Sequence, residues 1–438
     1  MRLEAFAAIL VCLASAKMGA AQAPTPASGQ TPQLSLSQAV AIAIKNHPQI
    51  AAAQNVAYAA GQRVIEARAP YYPQIDGEVT ASQGLSLSRL GAGSLSASLL
   101  FNRFGQGIQV SQLVTDFGRT QNLVQQSKYR AQAADQTTQA TIFDVVLAVN
   151  RAYYDVLEAQ AFVKVAEDTV NARQTLADQV SALANAKLKS NVDVSFAQVN
   201  LSEARLLLIR SQDAVKRAYA DLAKALGQDV TTTYQLEETS ITTPPPKDLQ
   251  PLVAEAIQNR PELRELRLQV DAARSFEQAE ADLSRPNVSM VGVGGALPYL
   301  NQDPRVAPHG YEAVGVNVDI PIFNGHLFSA RRQAAHYESL AEDQRLRDLQ
   351  QSIERDVQQA LISASTSYER IPVTQDLLTN ARLALDLAQG RYNLGLASIV
   401  EITQAQLNLT QAQIENVTAQ YDYASTFADL QYTIGALH

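Results

Sequence analysis

The residue types that most often carry chemistry are few and scattered in this sequence. No two of the five histidines have the spacing of a metal-binding motif. They are His47, His309, His326, His336 and His438. The one cysteine, Cys12, has no second thiol in the chain with which to form a disulfide or a thiolate metal site.

A glycine-rich stretch and a lone methionine also fail to form a site. Gly292-Val293-Gly294-Gly295 lies in a run of alternating residues, and no helix follows it to receive a phosphate. After residue 23 the sole methionine is Met290, whereas a protein that carries copper would be expected to offer more thioether ligands. The sequence therefore predicts no catalytic residue, no cofactor and no metal, and an enzyme is the least favoured class.

The composition excludes other classes. The chain has 438 residues and a formal net charge of −8, so nothing in its charge suggests a nucleic-acid-binding protein, which would favour a basic face. Only 18% of the residues are charged, although long soluble coiled coils are usually rich in Glu and Lys. Helices that are polar but weakly charged favour contacts with other helices or a water-filled lumen.

The N-terminal segment has the pattern of an export signal. Arg2 precedes the apolar run 5–14, and small residues follow up to Ala23, so residues 1–23 are predicted to be a signal peptide that includes Cys12. Residues 24–33 are predicted to be a flexible lead. No later apolar run approaches the roughly 20 residues that a membrane-spanning helix needs. The chain is therefore predicted to be periplasmic, secreted, or placed in an outer membrane by strands.

The stretch from Gly118 to Gly227 contains no internal Gly or Pro, which predicts very long helices. Its apolar residues recur at mixed spacings of three and four, as in a coiled-coil seam. Ser and Asn within 189–193 predict a turn between one helix over about 119–187 and a second over about 193–226. The first helix would span roughly 100 Å and must project from a compact body.

The chain then repeats itself. Residues 34–227 and 251–438 each read as helix, strand, strand, long helix, turn and helix, joined by a linker at 228–250. Strands are predicted at about 74–84, 99–114, 287–296 and 311–322, and hairpins at 118–227 and 325–435. The corner Asp116-Phe117-Gly118 is echoed at Phe323-Asn324-Gly325. Ser37 is a candidate N-cap for the first helix, and Pro372 is predicted to kink the second long helix.

Four strands cannot close a barrel around a pore, because a closed barrel needs about eight or more. A membrane tolerates no free strand edge, so the strands demand several copies of the chain. Three copies would supply twelve strands and a matching cylinder of helices. A secreted coiled-coil scaffold without a pore is the alternative from a different class.

The sequence resembles the TolC-like outer membrane efflux proteins over essentially all of the predicted mature chain. The resemblance rests on the opening 34–48, its echo at 253–261, the corner 320–325, and the segment 391–398 followed by Glu401. It implies a mainly α fold with a small β part, built as a trimeric 12-stranded β-barrel that continues into a coiled-coil α-helical tunnel.

The resemblance also implies a function. It predicts an outer-membrane exit duct, a passive channel of a tripartite efflux system, with its helical tunnel in the periplasm. The implied partners are two further copies of the chain, outer-membrane lipid, a periplasmic adaptor protein and, through that adaptor, an inner-membrane pump. The outer-membrane component of a type I protein secretion system remains open as the alternative within the same family.

In the resembled family the hairpin turns form the periplasmic tip, where the adaptor docks. Gly395 matches a glycine at the second turn, and its equivalent in the first repeat is Lys187. The predicted docking residues are Leu188, Ser190, Leu394, Gly395, Leu396 and Ser398. Gly395 also fits a plain helix C-cap, which is a common place for glycine.

The resemblance further implies a gate near the tip and an aromatic girdle at the membrane. Glu401 matches an acidic ring, whereas Gln404 leaves a second ring neutral; Asp193 and Tyr392 match positions that hold a closed state by hydrogen bonds between hairpins. A solvated charge without a gating role is the alternative for Glu401. Aromatic residues in or beside the strands are the girdle candidates. They are Phe101, Phe104, Tyr299 and Tyr311.

Overall fold

The protein is described by a computed structural model that covers residues 33–82, 89–90, 98–99, 103–229, 234–238, 243–300 and 310–437. The predicted signal peptide, nearly all of the predicted lead and the girdle candidate Phe101 lie outside the described residues.

Two structural repeats follow one another along the chain. Repeat 1 comprises β1 (Gln33–Leu34), α1 (Leu36–Asn46), α2 (Pro48–Arg68), a 3₁₀ turn (Ala69–Tyr71), β2 (Gln74–Ser82), β3 (Arg89–Leu90), β4 (Ser98–Leu99), β5 (Arg103–Thr115), α3 (Arg119–Asn185) and α4 (Asn191–Ala225). After β6 (Gln235–Leu236), repeat 2 comprises α5 (Leu249–Asn259), α6 (Pro261–Ala281), a 3₁₀ turn (Asp282–Ser284), β7 (Asn287–Leu300), β8 (Gly310–Asp319), α7 (Leu327–Asn393) and α8 (Ile399–Thr433).

Equivalent helices have equal lengths in the two repeats. The long helices α3 and α7 each have 67 residues, and the returning helices α4 and α8 each have 35. The starting residues of α3 and α7 are thus 208 apart, whereas those of α2 and α6 are 213 apart. The offset of 213 pairs residues of α1, α2 and β2 with their counterparts in repeat 2, and the offset of 208 does so for β5, α3 and α4.

The offset corrects two details of the sequence prediction. Asp116 is the counterpart of Asn324 and Gly118 that of His326, so the two corners match one residue away from their sequence echo. The Arg119 N–H donates to the Asp116 carbonyl and the Leu327 N–H to the Asn324 carbonyl, which supports this pairing. The N-cap of α1 is Ser35, which forms a capping box with Gln38, and not Ser37.

Pro372 lies inside α7, but α7 continues through it to Asn393. The residue therefore does not end the helix, although a proline cannot donate to the carbonyl four residues earlier. Two residues later, the Thr374 hydroxyl donates to the carbonyl of Ile371 at 3.0 Å.

The hairpins pack through small and apolar side chains on α3, α4, α7 and α8. One buried cluster lies at the middle of α3, and its Tyr153 is fully buried. The Tyr153 hydroxyl lies 2.9 Å from the carbonyl of Leu34 and 2.8 Å from that of Glu237. These two contacts hold the parallel pair β1 and β6 against α3. The predicted linker thus contributes a strand, which sequence reasoning missed.

Four strands form one antiparallel sheet in the order β2-β5-β7-β8. Within this sheet the two repeats meet at the β5–β7 pair, which aligns Val110 with Gly292 and Ser111 with Val291. Among the described strands, β2 and β8 each have one neighbour in this sheet, so both outer edges are unpaired within the chain. The chain thus ends its sheet with two open edges at the root of the long helices.

Candidate functional site: the hairpin tips and the sheet

The two hairpin tips share one backbone turn. At the first tip the Leu188 N–H donates to the Leu183 carbonyl and the Lys187 N–H to the Ala184 carbonyl, both at 2.9 Å. At the second tip the counterparts Leu396 and Gly395 make the same two bonds at 2.8 and 3.0 Å. This pair of bonds is the Schellman motif, whose central residue is left-handed. Lys187 has φ 59° and Gly395 has φ 74°.

The C-cap alternative and the docking prediction for Gly395 are therefore compatible. The residue is a C-cap by geometry, and it lies at an exposed turn. Its flanking leucines carry the apolar surface of the tips. Leu188, Leu394 and Leu396 are 70%, 75% and 68% exposed.

The serines that follow each turn begin the returning helices. Ser190 caps α4 in a capping box, in which the Ser190 N–H donates to the Asp193 carboxylate at 3.1 Å and the Asp193 N–H to the Ser190 hydroxyl at 3.2 Å. Ser398 caps α8 through the Glu401 N–H at 3.3 Å. The Glu401 carboxylate turns instead to Arg391, with Nε and Oε1 3.2 Å apart. Ser190 and Ser398 thus first serve to start helices.

The Arg391–Glu401 pair changes the electrostatics that sequence reasoning assigned to Glu401. An exposed ion pair contributes little to stability, but it lowers the net charge that Glu401 presents to its surroundings. Gln404, one turn further, donates to Asn408 at 2.9 Å. The acidic ring predicted at Glu401 stays a prediction, and the Arg391 charge reduces the negative charge available to it.

Tyr392 is the best-buried predicted gate residue. It is 3% exposed and packs in an apolar cluster with Leu176, Val180 and Ile402, between the two hairpins. Among the residues that the structure describes, its hydroxyl has no hydrogen-bond partner. Lys189 Nζ lies 4.5 Å from the ring centroid, in a cation–π contact.

Asp193 lies near Tyr392 but does not accept from it within the chain. The pKa of Tyr392 is raised above its ordinary value, first by burial and then by the charge of Asp193. Both Asp193 contacts described above go to Ser190, and the Ser190 hydroxyl also donates to Asp193 at 3.0 Å. The hydrogen bond between hairpins that was predicted for these two residues remains a prediction.

A groove that sequence reasoning missed runs between the starts of α4 and α8. It has a volume of about 300 Å³, and exposed apolar side chains line it beside the buried Arg173. The apolar lining includes Phe196, Val199, Val400 and Leu407. Arg173 Nη1 donates to the Asn200 carbonyl at 2.9 Å and lies 3.5 Å from Glu203. Burial lowers the pKa of the Arg173 guanidinium below its ordinary value.

The sheet has one apolar and one polar face, as strand alternation predicts. Register places Ile75, Ile108, Met290, Val314 and Val316 on the same face. These side chains are exposed in the single chain, and Val314 is 82% exposed. The opposite face carries mainly polar residues. They include Gln74, Asp76, Glu78, Gln109, Ser111, Ser289, Asn317 and Asp319.

The register separates Tyr311 from the exposed apolar residues, and its girdle role stays a prediction. Tyr311 pairs with Gly295, which pairs with Gly107, which pairs with Glu78, so Tyr311 lies on the polar face. Its ring covers Gly295 and Gly107, where a Cβ on either glycine would clash with it. An aromatic side chain over strand glycines restores packing that the glycines lack. Tyr311 therefore does not share a face with the exposed valines. Phe104 and Tyr299 are register partners, and their girdle role stays a prediction.

No helix in the described ranges is long and apolar enough to cross a membrane. Within the same ranges no cluster of His, Cys, Asp and Glu has the arrangement of a metal site.

Comparison with known proteins decides the family. The family described as outer membrane efflux protein matches residues 39–228 and 252–436, which are the two repeats. The chain belongs to the outer membrane efflux protein family. This assignment removes the secreted scaffold as an alternative and identifies the chain as an outer-membrane channel protein.

Individual relatives support the assignment. TolC of Salmonella enteritidis is 23% identical over 390 residues, which cover 87% of this chain and 77% of TolC. Protein CyaE of Bordetella pertussis is 26% identical, with 90% of this chain and 82% of CyaE covered. The toluene efflux pump outer membrane protein TtgC of Pseudomonas putida is 23% identical, with 68% of this chain and 61% of TtgC covered.

Solved structures share the fold of this outer membrane efflux protein. The CusC structure superposes with a TM-score of 0.79 at 19% identity, covering 91% of this chain and 92% of CusC. VceC of Vibrio cholerae gives 0.78 at 17% identity, covering 91% and 96%. The open state of the MtrE channel of Neisseria gonorrhoeae gives 0.74 at 17% identity, covering 92% and 89%. A helical tunnel joined to a β-barrel is thus the fold class of this chain, as the sequence predicted.

Proposed function

We propose that three copies of this chain form a passive exit duct that carries small molecules from the periplasm to the outside. The observation that carries this proposal is the four-stranded sheet with two open edges, one exposed apolar face and one polar face. Three such sheets supply twelve strands, enough to close around a water-filled lumen. The apolar face then meets lipid and the polar face lines the lumen.

The long helices extend the duct away from the membrane. Each spans about 100 Å, since a helix rises about 1.5 Å per residue and α3 and α7 have 67 residues. The tips therefore lie far from the sheet, where a periplasmic adaptor could reach them and connect the duct to an inner-membrane pump. The name of the relative TtgC, a toluene efflux pump outer membrane protein, supports small molecules as the cargo.

The apolar turns are the proposed docking surface for that adaptor. Exposed leucines at the end of a projecting helix pair are costly to leave in water unless a partner covers them. Leu188, Leu394 and Leu396 have this exposure, and Ser190, Gly395 and Ser398 set the shape of the turns around them.

The gate is proposed to lie one turn above the docking surface. Tyr392 brings an unpaired hydroxyl to the contact between hairpins, and three-fold symmetry would bring three Glu401 carboxylates together. Clustered carboxylates attract cations and raise one another's pKa. Because Arg391 pairs with Glu401, the ring is weaker than three free carboxylates.

Conductance across a planar bilayer tests the duct. The purified protein is expected to open ion-conducting pores, and divalent cations are expected to block them from the tip side. Glu401→Ala should weaken that block, because it removes the ring charge, whereas Gln404→Ala is the matched control one turn away and should not. If Glu401→Ala forms pores that divalent cations block as before, Glu401 does not form the proposed acidic ring. A purified protein that opens no pores would contradict the proposed duct.

A further inference from the structure

At the first corner, where α3 begins, the contact between the two repeats of one chain is polar. The buried Asp282, at the end of α6, accepts from Asn122 Nδ2 at 2.7 Å and lies 3.1 Å from Arg285. Arg285 donates in turn to the carbonyl of Phe117, at the first corner. The start of α3 is thus held on the end of α6 by a carboxylate, an amide and a guanidinium.

The second corner, at the start of α7, has the same backbone conformation, but within the described chain no helix end holds it as α6 holds the first corner. Gly325 and His326 are left-handed, as Phe117 and Gly118 are. A Cβ on Gly325 would meet nothing within 4 Å. Ile322, Phe323 and Leu327 are 94%, 80% and 53% exposed around it. The first corner packs on the end of α6, whereas the apolar side chains of the second corner stay exposed within the described chain.

The end of α2 is the surface that corresponds to the end of α6, and within the described residues the second corner does not pack on it. By the offset of 213, Ala69 is the counterpart of Asp282 and Tyr72 that of Arg285. Ile65 is the counterpart of Gln278. Ala69 is exposed, and Ile65 and Tyr72 are 60% and 66% exposed. The surface at the end of α6 is therefore polar, whereas the corresponding surface at the end of α2 is apolar.

Both sides of the unoccupied contact differ from their counterparts at the first corner. Asn122 is polar and meets Asp282, whereas its counterpart Ala330 is small and exposed and would meet Ala69. Likewise the Phe117 carbonyl meets Arg285, whereas its counterpart Gly325 leaves open space that the ring of Tyr72 could cover. Matched chemistry on two surfaces of one chain indicates that they meet between copies.

The sheet edges give the register of the same contact. Inside the chain, Ser111 of β5 pairs with Val291 of β7 and Val110 with Gly292. Ser111 is the counterpart of Asp319, because Gln74 pairs with Ser111 and Asn287 with Asp319. Applying the two offsets places Asp319 of β8 opposite Glu78 of β2, and Val318 opposite Val79. Apolar residues then face apolar residues, as alternation requires.

We propose that the second corner and β8 of one copy dock on the end of α2 and on β2 of a second copy in this register. The corner contact between copies is apolar, whereas the corner contact inside the chain is polar and contains the Asp282–Arg285 ion pair. The proposal rests on the trimeric duct proposed above and adds the register and the chemistry of its three seams.

Paired cysteines test the register in the full-length protein. Cys12 is the one native cysteine and lies in the predicted signal peptide, so engineered thiols are free of background. Asp319→Cys with Glu78→Cys should give a covalent trimer on mild oxidation in outer membranes, and reduction should reverse it, since directly opposed Cβ atoms lie within disulfide reach. Asp319→Cys with Gln74→Cys is the matched control on the same face, four residues off register, and should stay uncoupled.

The outcomes separate the register from the duct. Cross-linking of the control pair instead of the expected pair would overturn the register while leaving a trimer. Failure of both pairs in protein that purifies as a trimer would likewise overturn the proposed seam. Protein that is neither trimeric nor in the outer membrane would contradict the proposed function itself.

A charge transplant tests the corner. Ala69→Asp should reduce the trimer fraction in detergent, because it buries an unpaired carboxylate in an apolar seam. Adding Ala330→Asn should recover part of the loss, since it rebuilds the pair that Asn122 and Asp282 make inside the chain. Recovery by Ser329→Asn, its exposed neighbour, to the same extent would contradict the contact.

Discussion

The first hairpin turns at Lys187 and Lys189, whereas the second turns at Gly395 and Ala397, although the same two backbone bonds build both turns. The cap behind each turn differs as well. The Asp193 carboxylate completes a capping box with Ser190, whereas the Glu401 carboxylate pairs with Arg391 instead of with the N-cap residue Ser398. The first tip thus presents cationic side chains and the second a bare glycine between two leucines.

The difference teaches that the turn is fixed by backbone bonds, so its surface is free to diverge between repeats. In a trimer the six tips would alternate between the two chemistries around the ring. An adaptor that binds both kinds of tip must therefore offer two kinds of contact. An adaptor that binds only one kind would bind the second tip, where the glycine lets another backbone approach closely.

The largest effect is expected from a charge on the second tip. Leu396→Asp should abolish export and adaptor cross-linking, because it places a carboxylate in the proposed apolar contact. Leu188→Asp changes the counterpart residue at the first tip, with nearly equal exposure, and should reduce export less, because the left-handed residue beside it is a lysine instead of a glycine. The measurement is drug susceptibility in cells together with adaptor cross-linking. Equal losses in the two variants would contradict the unequal contributions of the two tips to docking.

Removal of the Tyr392 hydroxyl should open the resting duct with little loss of stability. Tyr392→Phe keeps the packing, and the lost hydroxyl makes no hydrogen bond within the described chain. Tyr392→Ala should instead cost about 3–5 kcal/mol of unfolding free energy, because it leaves a cavity between the hairpins. Resting conductance and urea unfolding separate the two variants. A duct that stays closed in Tyr392→Phe would remove the hydroxyl from the gate.

Exchange of the turn residues should change stability by a smaller amount. Lys187→Gly should raise the unfolding free energy by about 1 kcal/mol, since a left-handed backbone costs a lysine about that much and a glycine nothing. Gly395→Lys should lower it by a similar amount while the turn is kept, because Lys187 already adopts this conformation. Urea midpoints at unchanged slope are the measurement. Unfolding or a changed slope in Gly395→Lys would show that the two turns are not equivalent.

The smallest effect is expected at the seams of the sheet. In the proposed register Asp319 and Glu78 lie opposite each other, and like charges directly across a strand pair are destabilising. Glu78→Gln and Asp319→Asn should each raise the temperature at which the trimer dissociates, by a small and similar amount. The double variant should gain less than the sum, since either change alone removes the repulsion. If the gains of the two single variants add fully in the double variant, the two carboxylates do not interact, which would contradict the proposed register.

Much of the fold could be predicted from sequence because its signals are local. The absence of Gly and Pro between Gly118 and Gly227 predicted the first hairpin, and Ser190 was recognisable as a cap. Lys187 was matched to Gly395 by spacing alone, and the left-handed backbone of both residues agrees with that match.

The remainder depends on contacts distant in sequence. Alternation shows that Tyr311 and Val314 lie on opposite faces, but only the pairing across three strands shows which face is polar. The ion pair of Glu401 with Arg391 crosses the turn, and no motif marks it. The strand contributed by the predicted linker is held by Tyr153, far away in the chain. The corner echo was misplaced by one residue because glycine occupies different positions in the two corners.

The mass of the complex extracted from outer membranes in detergent tests the central claim most directly. The full-length protein is expected to be released as a complex of three copies, with no stable single chain, because each chain leaves two sheet edges unpaired. Recovery from the periplasm as a soluble single chain or dimer would contradict the duct and the seams together.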